Sequence, residues 1–275
     1  MKQVVLITGA SSGIGKEAAL RLIEKGFVVY GAARRTDKME ELKGKGIKTI
    51  KMDVTVDSEL IEGVNHILKN EGRIDILVNN AGYGSYGAVE DVPIEEAKYQ
   101  FEVNVFGLAR LSQLVIPHMR NQKFGRIINI SSVAGKISEP NGAWYHSSKF
   151  AVEGLSDCLR QELKPFGIDV VLIEPGPIYT EWNTIARENL LKLSGNTAYG
   201  ELAKKQYKFL EILDKYGSKA DVIADAIVKA VIAKKPKTRY VKGRSSSILL
   251  WTRKLLSDRI YDWLTLKSLN LVGSK

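Results

Sequence analysis

The sequence predicts a doubly wound α/β domain: a parallel sheet of about seven strands with helices on both faces. Three observations predict it. Short apolar runs alternate with longer amphipathic segments, the pattern of strands joined by crossover helices. A glycine-rich turn, Thr8-Gly9-Ala10-Ser11-Ser12-Gly13-Ile14-Gly15, follows the first run and opens the first helical segment. No stretch rich in Pro, Gly or Ser divides the 275 residues, so one domain over residues 1–275 is expected.

The segments follow in order. Val4–Thr8, Phe27–Ala33, Ile47–Met52, Ile74–Asn79, Arg126–Ile130 and Asp169–Glu174 read as strands, bounded by Gly, Pro, Asn or charged residues. Gly15–Lys25, Ser58–Asn70, Ile94–Arg120 and Tyr145–Lys164 carry helical spacing. Two regions leave this alternation. Residues 181–218 are helix-forming, with a break at Ser194-Gly195-Asn196. Residues 245–269 are amphipathic, interleaving Leu249, Trp251, Leu255, Ile260 and Trp263 with Arg253, Lys254, Arg259 and Lys267. Both are candidates for substrate-specific structure, the first as a lid and the second as a tail.

Composition narrows the function classes. Hydrophobic residues make up 44% of the chain, enough for a sizeable core. No apolar run reaches the roughly 18 to 20 residues of a membrane span. The apolar stretch Val4–Ile7 is short and runs into the glycine turn, so it reads as a strand rather than a signal peptide. The single cysteine, Cys158, allows no intrachain disulfide and suits a reducing cytoplasm. The net charge of +10 is uneven. Residues 1–200 hold 24 Lys+Arg and 24 Asp+Glu, whereas residues 201–275 hold 17 and 7. The basic segment is either a solvated surface or an attractor for an anionic substrate or membrane. No nucleic-acid module accompanies it. The tail can lie on an anionic bilayer, or dock on the body or on another subunit.

The glycine turn sits where a dinucleotide loop belongs. Glycines let backbone approach phosphates, and the helix N-terminus supplies N–H groups and a positive dipole end. Many NAD-binding sheets end the second strand with a carboxylate for the ribose 2′-hydroxyl. Here that end reads Ala32-Ala33-Arg34-Arg35. Two guanidinium groups there fit a 2′-phosphate, so NADP(H) is the expected cofactor.

Tyr145 and Lys149 stand four apart, one helical turn, and so share a face. An ammonium beside a phenol favours the phenolate and is expected to lower the Tyr145 pKa from its usual value near 10.

Further motifs stand around this pair. Asn79-Asn80-Ala81-Gly82 follows the fourth strand, Asn104 lies in Asn104-Val105-Phe106-Gly107, and Ser132 lies 13 residues before Tyr145. Pro175-Gly176-Pro177-Ile178-Tyr179-Thr180 follows the sixth strand. In this order, over roughly residues 4–180, the chain resembles the short-chain dehydrogenase/reductase family in its single-domain, Rossmann-type form. A weaker likeness points to the branch holding 17β-hydroxysteroid, retinol and acyl-dihydroxyacetone-phosphate reductases.

The resemblance implies an oxidoreductase interconverting a carbonyl and a secondary alcohol, with these roles. Tyr145 is the general acid in reduction and the base in oxidation. Lys149 lowers its pKa and holds the nicotinamide ribose, and Ser132 hydrogen-bonds the substrate oxygen. Asn104 holds a water that relays protons with Lys149. The cofactor is bound by Thr8, Gly9, Ser11, Ser12, Gly13, Ile14 and Gly15, by Arg34 and Arg35, and by Asp53 and Val54 at the adenine. Asn80, Ala81 and Gly82 lie beside it, Asn80 mainly stabilising the sheet. Pro175, Gly176, Ile178 and Thr180 complete the site, the last two at the carboxamide. Homodimers or homotetramers through Ile94–Arg120 and Tyr145–Lys164 are implied as well.

Other residues have plainer expectations. His66, His118 and His146 show no metal-ligand spacing, and no metal is expected. His146 is expected to point away from the Tyr145 face. Cys158, near Leu155 and Leu159, is expected to pack in the core. Trp182, Ile185, Leu190, Leu191 and Leu193 suggest either a hydrophobic substrate or ordinary packing. The alternative to an enzyme is a non-catalytic NADP-binding sensor or peripheral membrane scaffold, but Asn104, Ser132, Tyr145 and Lys149 are all present.

Overall fold

A computed structural model describes residues 2–179 and 181–269. The strands are β1 (Val4–Thr8), β2 (Val28–Ala33), β3 (Lys48–Lys51), β4 (Ile76–Asn79), β5 (Gly125–Ile130), β6 (Ile168–Pro175) and β7 (Arg239–Lys242). They form one parallel sheet in the order β3-β2-β1-β4-β5-β6-β7. The helices, in chain order, are α1 (Gly13–Glu24), α2 (Glu40–Gly44), α3 (Asp57–Glu71), α4 (Ile94–Phe101), α5 (Gly107–Asn121), α6 (Ala143–Leu163), α7 (Glu181–Ser194), α8 (Gly200–Lys215), α9 (Ala220–Ile232), α10 (Ser246–Leu255) and α11 (Asp258–Ser268).

Strand periodicity builds the two cores. On β1, Val5 and Ile7 join a cluster with Ala18, Leu22 and Ile227, on the side of α1 and α9. The alternate residues Val4 and Leu6 face Leu60, Leu111 and Leu159, on the side of α3, α5 and α6. A period of two therefore supplies both faces of a sheet covered on both sides, and β1 is buried throughout. Helix ends follow local chemistry. Gly72, at φ 72°, stops α3 and returns its N–H to Leu68 O at 2.8 Å.

Two departures from the sequence expectation matter. Ile94–Arg120 is not one regular helix: α4 and α5 are joined through a π-turn over Glu102–Phe106, which contains Asn104. Such a turn re-aims a residue that regular α geometry would carry past its target. The seventh strand and α9 lie in a stretch where sequence reading placed no element. The four residues of β7, Arg-Tyr-Val-Lys, are too short and polar to announce an edge strand.

Residues 181–218 form the α7–α8 hairpin. Its two ends meet: Tyr179 N–H donates to Ser218 O at 2.9 Å and Ser218 N–H to Pro177 O at 3.0 Å. Arg187 and Asn183 of α7 clasp Asp214 of α8. At the far end Ala88 N–H donates to Ser194 Oγ at 2.9 Å. The C-terminal helices pack inward through Tyr261, Leu249, Leu250 and Leu256, which meet Val133 and Ile137. No helix among the described residues is long and apolar enough to cross a membrane.

Candidate active site

The strand order reverses between β1 and β4, where open α/β sheets place their ligands. A cleft of about 1020 Å³ opens at the carboxyl ends of the strands there.

Its first end is the glycine turn. Gly9 and Gly13 adopt φ of 67° and 54°, backbone that side chains disfavour. A Cβ on Gly15 would lie 2.5 Å from Asn80 Nδ2 and from Gly9 O, so close approach excludes one. Asn80 staples the turn, donating to Thr8 O at 2.9 Å and Gly9 O at 3.3 Å. Thr8 Oγ1 in return accepts the Asn80 and Ala81 N–H groups, both at 3.0 Å. Gly9, Ser11, Ser12, Gly13 and Ile14 line the cleft, while Thr8 and Gly15 support the turn from behind. Ser12 makes no side-chain cap, and the first turn of α1 has no acidic residue. The N–H groups there are thus free for an anion, as the pyrophosphate of a dinucleotide requires.

Arg34 and Arg35 follow β2 at the cleft edge. Arg35 Nη2 donates to Ser12 Oγ at 3.4 Å, across the end of the turn. Arg34 Nη1 donates to Tyr99 Oη at 2.6 Å and lies 3.7 Å from Asp53 Oδ2. Asp53 also caps its own loop through the Thr55 N–H at 3.0 Å, and Val54 lines the cleft beside it.

The middle of the cleft holds Ser132, Tyr145 and Lys149. Ser132 has extended backbone and accepts the Ala134 N–H at 3.1 Å, which fixes its hydroxyl beside the Tyr145 hydroxyl, its hydrogen-bond partner. Lys149 is buried; its ammonium donates to Ile130 O at 2.9 Å and lies 6.0 Å from the Tyr145 ring centre. Burial lowers Lys149 to about 8, partly countered by Glu153 one turn on. Burial pushes Tyr145 up to about 12; the Ser132 hydrogen bond lowers it and Glu139 raises it. This is opposite to the direction expected from the Tyr-Lys spacing. Desolvation outweighs the ammonium, which is directed at the Ile130 carbonyl rather than the phenol.

Asn104 is buried, with both its amide N–H groups engaged. Its Oδ1 accepts the Tyr83 N–H at 2.8 Å, and its Nδ2 donates to Tyr83 O at 2.8 Å and Ser148 Oγ at 3.0 Å. A Cβ on Gly82 would lie 3.7 Å from Asn104 Oδ1 and 4.0 Å from Lys149 Nζ, so Gly82 sits between them. Ala81 and Gly82 line the cleft with Asn80.

Pro175 at the end of β6, and Gly176 and Ile178 beyond it, line the cleft, and Thr180 lies outside the described residues. Gly176 has a reason beyond the cofactor. A Cβ there would meet Ser246 Oγ at 1.9 Å, because α10 starts against this loop.

Sequence reasoning missed Tyr86 and Glu139. Tyr86 is buried, its ring 5.8 Å from that of Tyr145, and its hydroxyl donates to Glu139 Oε1 at 3.2 Å. Neither carries a spacing signal; only the fold brings them together. Against expectation the His146 ring stays beside Tyr145, ring centres 6.0 Å apart, while its Nδ1 bonds Ile137 O at 2.6 Å and Ala134 O at 3.0 Å. Its ring still reaches the cleft wall, with Nε2 3.6 Å from Glu139. Cys158 is exposed rather than packed. The inward stripe of α6 is Val152, Ser156, Leu159 and Leu163, and Cys158 falls on the other side with Phe150 and Gly154. Of the apolar α7 positions, Leu190 is buried in packing and Ile185 is exposed and lines the cleft. The side chain of Trp182 lies outside the described residues.

Comparison with known proteins places this geometry. The short chain dehydrogenase family profile matches residues 3–190. A probable short-chain type dehydrogenase/reductase of Helicobacter pylori is 38% identical over 94% of this chain and 95% of its own. A 3-ketodihydrosphingosine reductase of Bacteroides thetaiotaomicron is 38% identical over 90% of each chain. An NADPH-dependent 3-dehydrocapnine reductase of Ornithobacterium rhinotracheale is 37% identical over 96% of each. Among solved structures, a short-chain dehydrogenase from Streptomyces avermitilis superposes with TM-score 0.81 at 30% identity, covering 98% of this chain and 97% of its own. A metagenomic short-chain oxidoreductase in complex with NADP has TM-score 0.69 at 26% identity, over 87% and 96%. An NAD+-bound xylitol dehydrogenase has TM-score 0.75 at 27% identity, over 88% and 97%. The chain belongs to the short-chain dehydrogenase/reductase family, oxidoreductases that use nicotinamide cofactors and act on small molecules.

Proposed function

We propose that the chain is an NADP(H)-dependent reductase converting a lipophilic ketone to a secondary alcohol. One observation carries the reading: Ser132, Tyr145 and Lys149 meet in a single cleft whose other end is the glycine turn flanked by Arg34 and Arg35. The reduced nicotinamide supplies hydride when bound. The N–H groups of Ser12, Gly13 and Ile14 hold the pyrophosphate, and Arg34 with Arg35 grips the 2′-phosphate. Asp53 and Val54 border the adenine, Lys149 the nicotinamide ribose, and Ile178 the carboxamide.

Ser132 Oγ hydrogen-bonds the ketone oxygen, and Tyr145 Oη donates the proton to it. A tyrosine held at about 12 carries its proton at neutral pH, as the general acid of a reduction must. Asn104 is a positioning residue: its amide ties the Tyr83 backbone to Ser148 on the helix of Tyr145 and Lys149, so only the second lone pair of Oδ1 is left for a relaying water.

The α7–α8 hairpin acts as the substrate lid. Tyr86, Ala186, Leu190 and Ala203 form an apolar cluster against which Tyr145, Tyr207 and Leu210 pack, suiting an apolar substrate body. One similar reductase is named for a 3-keto substrate, 3-ketodihydrosphingosine, and another for 3-dehydrocapnine, which supports reduction of a carbonyl. The exposed stripe Phe150, Gly154 and Cys158, with exposed Phe106 nearby in sequence to α5, supports a homo-oligomer through α4–α5 and α6. Cytoplasmic placement belongs to the proposal, argued from the lone thiol. NADPH oxidation against a panel of lipophilic ketones, steroids, retinals and lipid carbonyls tests it. Turnover of at least one ketone, with NADPH preferred over NADH, is expected; none across the panel refutes it.

A further inference from the structure

The tail resolves into two faces. The inner one closes the cleft: Leu249, Leu256, Tyr261 and Leu269 line it, and Tyr261 Oη donates to Ser138 O at 3.2 Å. The outer one is apolar and uncovered. On α10, Ile248, Trp251 and Leu255 recur at i, i+3 and i+7 and are 68%, 66% and 62% exposed. On α11, Ile260, Trp263 and Leu264 recur at i, i+3 and i+4 and are 50%, 47% and 42% exposed. Lys267 falls on the same α11 face, 4.7 Å from the Trp263 ring, and Lys254 and Arg259 are exposed beside these stripes. A patch of large apolar side chains of this kind marks an interaction surface.

We infer that the outer face of α10–α11 seats the protein on an anionic bilayer, with the cleft mouth facing the lipid. Charge selects this occupant. Within α10–α11 the four cations Arg253, Lys254, Arg259 and Lys267 stand against Asp258 and Asp262, a net +2, so a second copy would bring like charge to the same face, whereas an anionic lipid surface brings the opposite. Of the two acids in α10–α11, Asp258 is engaged by Arg253 at 2.7 Å and Asp262 is exposed beside Trp263 in sequence. Trp, Leu and Ile with flanking Lys and Arg are the composition of a helix lying in the interface. Leu264 is both exposed on this face and part of the cleft wall, and the exposed Ile185 and Tyr216 also line the cleft. The rim is therefore apolar at the seat itself, and a lipophilic ketone enters from the membrane without crossing water. This entry route rests on the proposed reductase function; the seating does not.

The test is co-sedimentation of the full chain with phosphatidylcholine vesicles containing phosphatidylglycerol, against pure phosphatidylcholine. Binding to the anionic vesicles at low salt, lost at high salt, is expected. Trp251→Glu/Trp263→Glu should weaken it at least roughly tenfold. Lys254→Glu should weaken it roughly fivefold, and Arg259→Glu similarly. Absence of wild-type binding at low salt, or undiminished binding by the double tryptophan variant, overturns the inference. So does sedimentation velocity in which wild type self-associates through this face and the double variant does not. NADPH turnover of a water-soluble ketone by both proteins checks their folding. Failure of turnover in both proteins, with wild-type vesicle binding intact and the variant's lost, would count against the reductase reading alone.

Discussion

Removing Arg34 reads the cofactor assignment most finely. Its guanidinium is held at the end of β2 by Tyr99 Oη at 2.6 Å and by Asp53 at 3.7 Å, with 60% of the side chain exposed. A charge-assisted hydrogen bond to phosphate contributes about 1.5–3 kcal/mol, and exposure and salt place this one near the lower limit. Arg34→Ala should therefore raise the KM for NADPH roughly tenfold, and Arg34→Ala/Arg35→Ala roughly a hundredfold. The same change strips Asp53 of a cation and leaves its carboxylate without that partner beside the vacated Arg34 site. That disfavours a phosphate and tolerates a hydroxyl. The KM for NADH should accordingly stay level or fall. Initial rates with each cofactor at saturating ketone measure both numbers. Equal rises for NADPH and NADH, or an unchanged NADPH KM, would refute the reasoning.

Three other expectations follow from the same geometry. With Tyr145 held at about 12 and Lys149 at about 8, reductive kcat/KM should stay level below neutrality and decline as pH rises through about 8; Lys149→Arg should move that decline to higher pH, and an unmoved decline would mean another group titrates. Glu174 is raised to about 7, by burial first and then by the Glu153 carboxylate. A raised acid contributes stability that is present below about pH 4.5 and lost as pH rises through about 7, so Tm should fall over that interval in wild type and fall less in Glu174→Gln. Gly9→Ala places a Cβ 2.9 Å from Asn80 Nδ2 at a φ of 67°, which costs about 2 kcal/mol or more; Tm should drop by roughly 4 °C or more and NADPH affinity should fall with it, and a fully stable variant would contradict the close packing of this turn.

Much of the fold was legible because its signals are local. The β1 periodicity, the glycine turn and the run of motifs through Pro175-Gly176 each depend on neighbours in sequence. The losses have physical causes. β7 is a four-residue edge strand whose pairing partner β6 lies more than 60 residues earlier, so no local pattern announces it. The π-turn at Asn104 cannot be read from a helical period, because the flanking residues keep that period. Cys158 was misplaced by counting apolar neighbours one and three residues away rather than following the stripe from Val152 to Leu163. Residue identities placed Ser132, Tyr145 and Lys149 correctly in one cleft. They misjudged the Tyr145 pKa, because desolvation depends on what surrounds the ring and not on what stands four residues on. Tyr86 and Glu139 meet Tyr145 only through the loops after β4 and β5, and their part in the cleft is a property of the fold.

The central claim is that the Tyr145 hydroxyl is the proton donor to the ketone. Tyr145→Phe keeps the ring and its contact with Tyr86 while removing that hydroxyl. The decisive measurement is single-turnover NADPH oxidation with an accepted ketone, beside a fluorescence titration of NADPH binding. The account predicts a fall in the chemical step of at least roughly a hundredfold, with NADPH affinity kept within about twofold. Turnover at the wild-type rate, with binding intact, would contradict it.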